Sequence, residues 1–93
     1  MFVYSARFHL KLPSHSLKGK RGIVKSILAR ARQQFNVSSA EVDLQDVHGT
    51  AILGFAVVSE NRLGGRQLLE RLEEWLAEER PDIEIVDVEL EER

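Results

Sequence analysis

Residues 13–21 concentrate hydroxyl, imidazole and cationic side chains in one short segment. The side chains that can bind an anion there are those of Ser14, His15, Ser16, Lys18, Lys20 and Arg21. Either serine can cap a helix that follows Pro13, and the free N–H groups and positive dipole end of a helix N-terminus attract anions. Acids are favoured in that first turn, but this chain places cations there. The segment therefore predicts an anion-binding site.

Further cations extend this candidate site along the predicted helix. At about 100° per residue, the cations that fall within a stripe roughly 60° wide are Lys18, Arg21, Lys25 and Arg32. Such a row can contact successive phosphates of RNA. The residues alone leave two other interpretations open, namely a small anionic metabolite, and solvated cations that face acids of the same or a neighbouring subunit. For His15, a capping or turn-packing role competes with phosphate binding, because an unperturbed histidine is mostly neutral at physiological pH.

The charges of the chain are divided between its two halves. Residues 1–40 hold eight Lys or Arg and no acid, whereas residues 41–93 hold five basic and fifteen acidic residues. The halves are therefore +8 and −10, which sum to the net charge of −2. A net charge near zero thus conceals a basic region that attracts polyanions and an acidic region that repels nucleic acid.

Composition and motifs favour a binding protein over an enzyme. The 93 residues are 43% apolar and 30% charged and include no cysteine, which predicts a single cytoplasmic domain over residues 1–93. The N-terminal residues alternate in polarity, so neither a signal peptide nor a membrane span is expected. His9, His15 and His48 are scattered, and phosphate-loop and dinucleotide motifs are absent. We therefore expect no catalytic residues, no metal and no cofactor.

Six elements position these residues. Period-two alternation predicts a first strand up to Leu12, and helical spacing predicts a first helix over about 16–35. Strands follow over about 40–45 and 50–59, then a second helix that Pro81 ends, then a strand over 83–91. This order is the split βαβ pattern of ferredoxin-like α+β folds. It predicts a four-stranded antiparallel sheet in order 4-1-3-2, with both helices on one face.

The uncovered sheet face is the second candidate site. On the third strand, Leu53, Phe55 and Val57 are predicted to form an apolar interaction face that dimerises or docks a partner. A small regulatory ligand at a dimer interface is a further alternative.

Local patterns predict several details of the sheet and the second helix. Arg7, His9 and Lys11 are expected to point outward beside the acids of the last strand. The adjacent Ile85 and Val86 predict a bulge in that strand. The adjacent glycines Gly64 and Gly65 are interpreted as a loose first helical turn or a close-packing point.

The segment SHSLKGKR at residues 14–21, followed by Val24-Lys25-Ser26, resembles the SHSLKxKR segment of the YlxP-like family of small bacterial proteins of unknown function. Further matching segments are Phe35-Asn36-Val37-Ser38, Ala40-Glu41-Val42, Gln45-Asp46, Leu53-Gly54 and Val58-Ser59. The resemblance spans nearly the whole chain. It departs at His48, where relatives often have a tryptophan, so a function that needs that aromatic is not expected here.

The resemblance implies a ferredoxin-like fold, a bacterial cytosol and genes that often lie beside those of translation-initiation and ribosome-maturation factors. Together with the basic stripe, it leads us to expect a non-enzymatic accessory protein that binds ribosomal RNA or a ribosomal subunit during small-subunit maturation or translation. DNA and membranes are not expected partners, and a homodimer stays open. The alternative is a protein-interaction module that acts through the open sheet face.

Overall fold

A computed structural model describes residues 1–93 of the chain. The elements are β1 (Phe2–Lys11), α1 (Leu17–Gln34), β2 (Ser38–Asp43), β3 (Thr50–Ser59), α2 (Arg62–Glu79) and β4 (Glu84–Glu92). The four strands form one antiparallel sheet in the order β2-β3-β1-β4. The predicted ferredoxin-like α+β fold and its strand order are therefore confirmed.

The core lies between the helices and one face of the sheet. Alternate residues of β1 and β3 supply its centre, where the rings of Phe8 and Phe55 meet edge to face with centroids 5.1 Å apart. The helices add the side chains of Val24, Ile27, Ala31, Leu69, Leu72 and Leu76. Each fully buried large apolar side chain contributes about 1.5–3 kcal/mol to folding. The opposite face of the sheet carries no helix.

Hydrogen-bonded caps fix where both helices begin. Ser16 Oγ accepts a hydrogen bond from the N–H of Gly19 at 3.0 Å, and Asn61 Oδ1 accepts one from the N–H of Gly64 at 2.6 Å. Such caps stabilise a helix by about 0.5–2 kcal/mol. The first turns of α1 and α2 both lack acids. Neither helix has an apolar stretch long enough to cross a lipid bilayer.

The sequence correctly predicted the bulge in the edge strand β4, but it misplaced the bounds of the other edge strand, β2. The register of β1 against β4 passes from His9–Asp87 to Leu10–Ile85, which leaves Val86 as the predicted bulge. β2 begins and ends two residues earlier than predicted, because Leu44 adopts a left-handed backbone with φ of 59° and stops the strand.

The outward residues of β1 follow the predicted register but not the predicted ion pairing. Arg7 lies opposite Glu89 of β4, as expected. Its guanidinium, however, lies 3.8 Å from the carboxylate of Asp43, on the other side of β1. The pair is exposed and contributes about 0–1 kcal/mol.

The second helix approaches β1 closely at a glycine. A Cβ atom on Gly65 would lie 2.6 Å from Cδ2 of Tyr4 and 3.2 Å from Cβ of Ser59. The predicted close-packing point is therefore confirmed at this residue. Gly22, in the middle of α1, has no atom within 4 Å of the same constructed position.

These two glycines predict opposite effects of the same substitution. We expect Gly65→Ala to lower the free energy of unfolding by about 1–3 kcal/mol, because the added methyl group overpacks against the Tyr4 ring. Gly22→Ala should raise it by about 0.5–1 kcal/mol, since the methyl group meets no neighbour and alanine favours the helix. Urea unfolding of both variants measures the difference. Equal effects in the same direction would contradict the close contact at Gly65.

Candidate nucleic-acid interface

The turn before α1 uses both of its serine hydroxyls internally. Ser14 is buried, and its Oγ donates to the carbonyl of Ser16 at 2.8 Å and accepts from the Ser16 N–H at 3.4 Å. Ser16 caps the helix through the N–H of Gly19. Both were predicted as anion ligands, and the structure instead assigns their hydroxyls to shaping the turn. His15 is exposed and makes no hydrogen bond within the chain, so the capping role considered for it is wrong.

Lys20 was predicted to bind phosphate, and that prediction is wrong. Its side chain is 1% exposed, and its Nζ donates to the carbonyls of Leu44 and Val47 in the loop between β2 and β3. Nζ also lies 2.9 Å from Oε2 of Glu41, at an angle outside hydrogen-bond geometry, so this contact is a charge–charge pair. An ammonium group that is enclosed in this way cannot reach an external ligand.

Three cations of the predicted stripe remain exposed and unpaired. Lys18, Arg21 and Lys25 have no carboxylate within 4.0 Å. Most other basic side chains in the chain pair with an acid. The exceptions are Lys11 and Arg71, which lie on the open sheet face and on α2, and Arg32, whose Nη1 donates to the carbonyl and hydroxyl oxygens of Ser39 at 3.1 and 3.0 Å.

Two side-chain contacts show which way the stripe faces. Arg30 pairs with Glu79 of α2 at 2.8 Å, so that flank of α1 faces the second helix. Arg32 contacts Ser39 of β2, so the other flank faces the edge strand. At about 100° per residue, Arg21 and Lys25 lie on the Arg32 flank. The basic stripe, Lys18, Arg21, Lys25 and Arg32, therefore runs along the side of α1 beside β2.

The predicted interaction face has the wrong residues. Leu53, Phe55 and Val57 are buried in the core, with exposures of 0%, 2% and 3%. They face the helices because Phe8 and Ala6 of β1, which are themselves core residues, pair with Leu53 and Phe55. The outward-facing residues of β3 are instead Ile52, Gly54, Ala56 and Val58. Since both sides of β3 are apolar, the sequence of this strand alone did not indicate which side is buried.

The open sheet face is divided into an apolar half and a charged half. The apolar half, on β2 and β3, consists of Ala40, Val42, Gly54, Ala56 and Val58. Val42 lies over Gly54, where a Cβ atom would be 2.8 Å from Cγ1 of the valine. A shallow groove of about 490 Å³ lies over all of these residues except Val58 and is flanked by Arg7 and Arg93. The charged half carries Arg7, His9 and Lys11 on β1 and Asp87, Glu89 and Glu91 on β4.

A second groove, of about 410 Å³, was not predicted from the sequence. It lies between the start of α2 and β4, and Tyr4 is at its base. The Tyr4 hydroxyl donates to Oε1 of Glu92 at 3.3 Å, and Arg62 Nε donates to the same oxygen at 2.9 Å. Burial and the nearby Glu92 carboxylate raise the pKa of Tyr4 above its usual value. Tyr4 and Glu92 are 88 positions apart in the sequence, and Arg62 and Glu92 are 30 apart, so no local pattern indicates these contacts.

The sequence profile of a protein family described as "Protein of unknown function (DUF503)" matches residues 3–90. The chain belongs to this family. It is also similar to the uncharacterized protein YlxP of Bacillus subtilis (strain 168), with 40% identity over 57 residues. That match covers 61% of this chain and 62% of the relative, so it spans about three fifths of the length of that protein. The resemblance to the YlxP-like family is therefore confirmed.

Breaking the Lys20–Glu41 pair should be strongly destabilising. We expect Lys20→Met to lower the free energy of unfolding by about 3–5 kcal/mol, because it leaves a largely buried carboxylate and two loop carbonyls without a partner. Lys25→Met, on the exposed stripe, should change it by no more than about 0.5 kcal/mol. Urea unfolding of both variants checks this.

The double variant Lys20→Met/Glu41→Gln should recover part of the loss, since it also removes the uncompensated charge. Equal stabilities for Lys20→Met and Lys25→Met would show that Lys20 is not an anchor.

Proposed function

We propose that this protein is a non-enzymatic accessory factor that binds ribosomal RNA, or a ribosomal subunit, through the basic stripe of α1. The observation that carries the proposal is the set of three exposed cations, Lys18, Arg21 and Lys25, without an acidic partner in the chain. Exposed cations without an internal partner are available to neutralise phosphates and to release counterions from a nucleic acid.

The start of α1 adds neutral donors to these cations. Ser16 satisfies the N–H of Gly19, which leaves the N–H groups of Leu17 and Lys18 as first-turn donors for a ligand. The first turn contains no acid that would repel a phosphate. His15 is exposed beside this turn and can donate a hydrogen bond to an anion. The contact is thus supported by charge and by hydrogen-bond donors at the same helix end.

The acidic residues lie where they would orient the protein on RNA. Five of the nine residues of β4 are acidic, and α2 adds further carboxylates on its exposed side. Both elements belong to the half of the molecule opposite the stripe. Repulsion of the acidic half from phosphates would turn the stripe toward the nucleic acid.

The second candidate function, a protein-interaction module that acts through the open sheet face, is favoured by the two exposed valines there. Val58 is 62% exposed and Val42 is 47% exposed, next to the small residues of the apolar half. Isolated exposed valines are common, but Val42 lines one groove of this face and Val58 lines the adjoining one, and such an arrangement is typical of a contact surface.

Co-sedimentation with small ribosomal subunits and their precursors across a salt series tests the RNA proposal. We expect the variant Lys18→Glu/Arg21→Glu/Lys25→Glu to bind at least about tenfold more weakly than the native chain. For the native chain, three phosphate contacts predict a log–log salt slope of about −2 to −3.

The matched control is Arg62→Glu/Arg66→Glu/Arg71→Glu on α2, which has the same net charge as the stripe variant. Its affinity should stay within about threefold of the native value. If both variants lost affinity equally, the loss would come from the change in net charge and not from the position of the stripe. Unchanged binding by the stripe variant, or a salt slope near zero, would overturn the proposal.

A further inference from the structure

The two edges of the sheet differ in how they are protected. β4 carries five acids and the bulge at Val86, two features that discourage pairing with another strand. β2 has no lysine, proline or unpaired acid. Its Glu41 pairs with Lys20, and its Asp43 lies 3.8 Å from the guanidinium of Arg7. The β2 edge therefore carries little net charge. Its carbonyls at Ser39 and Glu41 accept hydrogen bonds only from the exposed side chains of Arg32 and Gln45, at 3.1 and 3.5 Å, and not from another strand.

The open-face side of this edge is apolar. Side chains of Ser38, Ala40 and Val42 point to that face, next to Gly54 and Ala56 of β3. The groove of about 490 Å³ lies over them, and a further concavity of about 560 Å³ continues past Ala56 to Val37 and Val58. The small residues leave room for apolar side chains of a strand placed beside β2.

The helix side of the same edge is basic. The stripe runs along the flank of α1 beside β2, with Arg32 bonded to Ser39 and with Arg21 and Lys25 unpaired. Pairing of two β2 strands across a two-fold axis would bring two such stripes together. The repulsion between like charges disfavours a second copy at this edge, and the same charges attract an acidic strand.

We propose that the β2 edge binds an extended segment of a partner protein in which apolar and acidic residues alternate. The segment adds a fifth strand to the sheet, and main-chain hydrogen bonds to β2 hold it after its N–H groups replace the side chains of Arg32 and Gln45 on the carbonyls of Ser39 and Glu41. Since successive side chains of a strand point to opposite faces, its apolar residues lie over Ala40 and Ala56. Its acids then face Arg21 and Lys25.

The geometry of β2 limits the length of this contact. Pairing with β3 is regular from Ser38 to Glu41 and shifts before Asp43. The bound segment is therefore short, on the order of four to six residues. This inference goes beyond the RNA contact and does not depend on it. Because both ligands would use Arg21 and Lys25, RNA and the acidic segment should compete.

A titration followed by amide NMR of the ¹⁵N-labelled protein tests the proposal. The probe is a ten-residue peptide of alternating valine and glutamate, and the control is the same peptide with lysine for glutamate. We expect the glutamate peptide to shift amide signals of residues 38–43 most, with an affinity that falls as salt is added. The lysine peptide should bind at least about tenfold more weakly.

Two matched variants test which edge of the sheet binds the peptide. Ala40→Lys puts a charge on the exposed β2 edge and should weaken peptide binding at least tenfold, while its thermal unfolding stays native-like. Val86→Lys puts the same charge on the β4 edge and should leave binding within twofold. Ala40→Lys should also keep RNA binding, which separates this proposal from the first.

Several outcomes would overturn the proposal. They are equal binding of both peptides, shifts centred away from β2, and no shift at millimolar peptide. Shifts at β2 that depend on protein concentration without peptide would assign the edge to a second copy of the chain instead.

Discussion

The buried contact of Lys20 with Glu41 and the loop between β2 and β3 is the interaction on which the rest of the molecule depends. One ammonium group joins the first turn of α1, the edge strand β2 and the carbonyls of Leu44 and Val47. It sets where β2 ends, because the left-handed Leu44 follows the strand and its carbonyl is held by Nζ. It also neutralises Glu41, which would otherwise place a carboxylate beside the basic stripe. The shape of the turn and the charge of the edge therefore have a common origin.

The fold was predictable where one periodicity dominated. Alternation in β1, the serine cap of α1 and the apolar pair at residues 85–86 each gave a correct local prediction, and chain order then determined the sheet topology. β3 was different because both of its sides are apolar, and only its pairing with Phe8 reveals which side is buried. Lys20 did carry a usable signal. It precedes Val24, Ile27 and Ala31 at intervals of four, three and four residues, which places it on the core side of the helix. A cation at such a position indicates a buried partner.

The layout of charge explains how one small domain can present two different surfaces. Basic residues concentrate on α1, and acidic residues on β4 and α2. The β2 edge is therefore basic on the helix side of the sheet and apolar on the open face, and the strand between them is nearly neutral. An RNA backbone would contact only the basic stripe, whereas an added strand would contact the stripe, β2 and the apolar half of the open face. A ligand that bridges these parts is selected more narrowly than one held by charge alone, because each part rejects a different class of competitor.

The positions of the aromatic residues limit how much RNA sequence the proposed contact can recognise. Phe8, Phe55 and Tyr4 lie inside the core, and Phe2, Phe35 and Trp75 pack against it, so none forms a stacking platform on the exposed side of the basic stripe. A contact made by Lys18, Arg21 and Lys25 with phosphates positions a protein on RNA but carries no sequence information directly. Such a contact is also weakened by salt. If the protein acts at one place on a ribosomal particle, the choice of place must come from RNA shape or from a second contact. The β2 edge, with its defined strand direction and side-chain alternation, can supply such a contact.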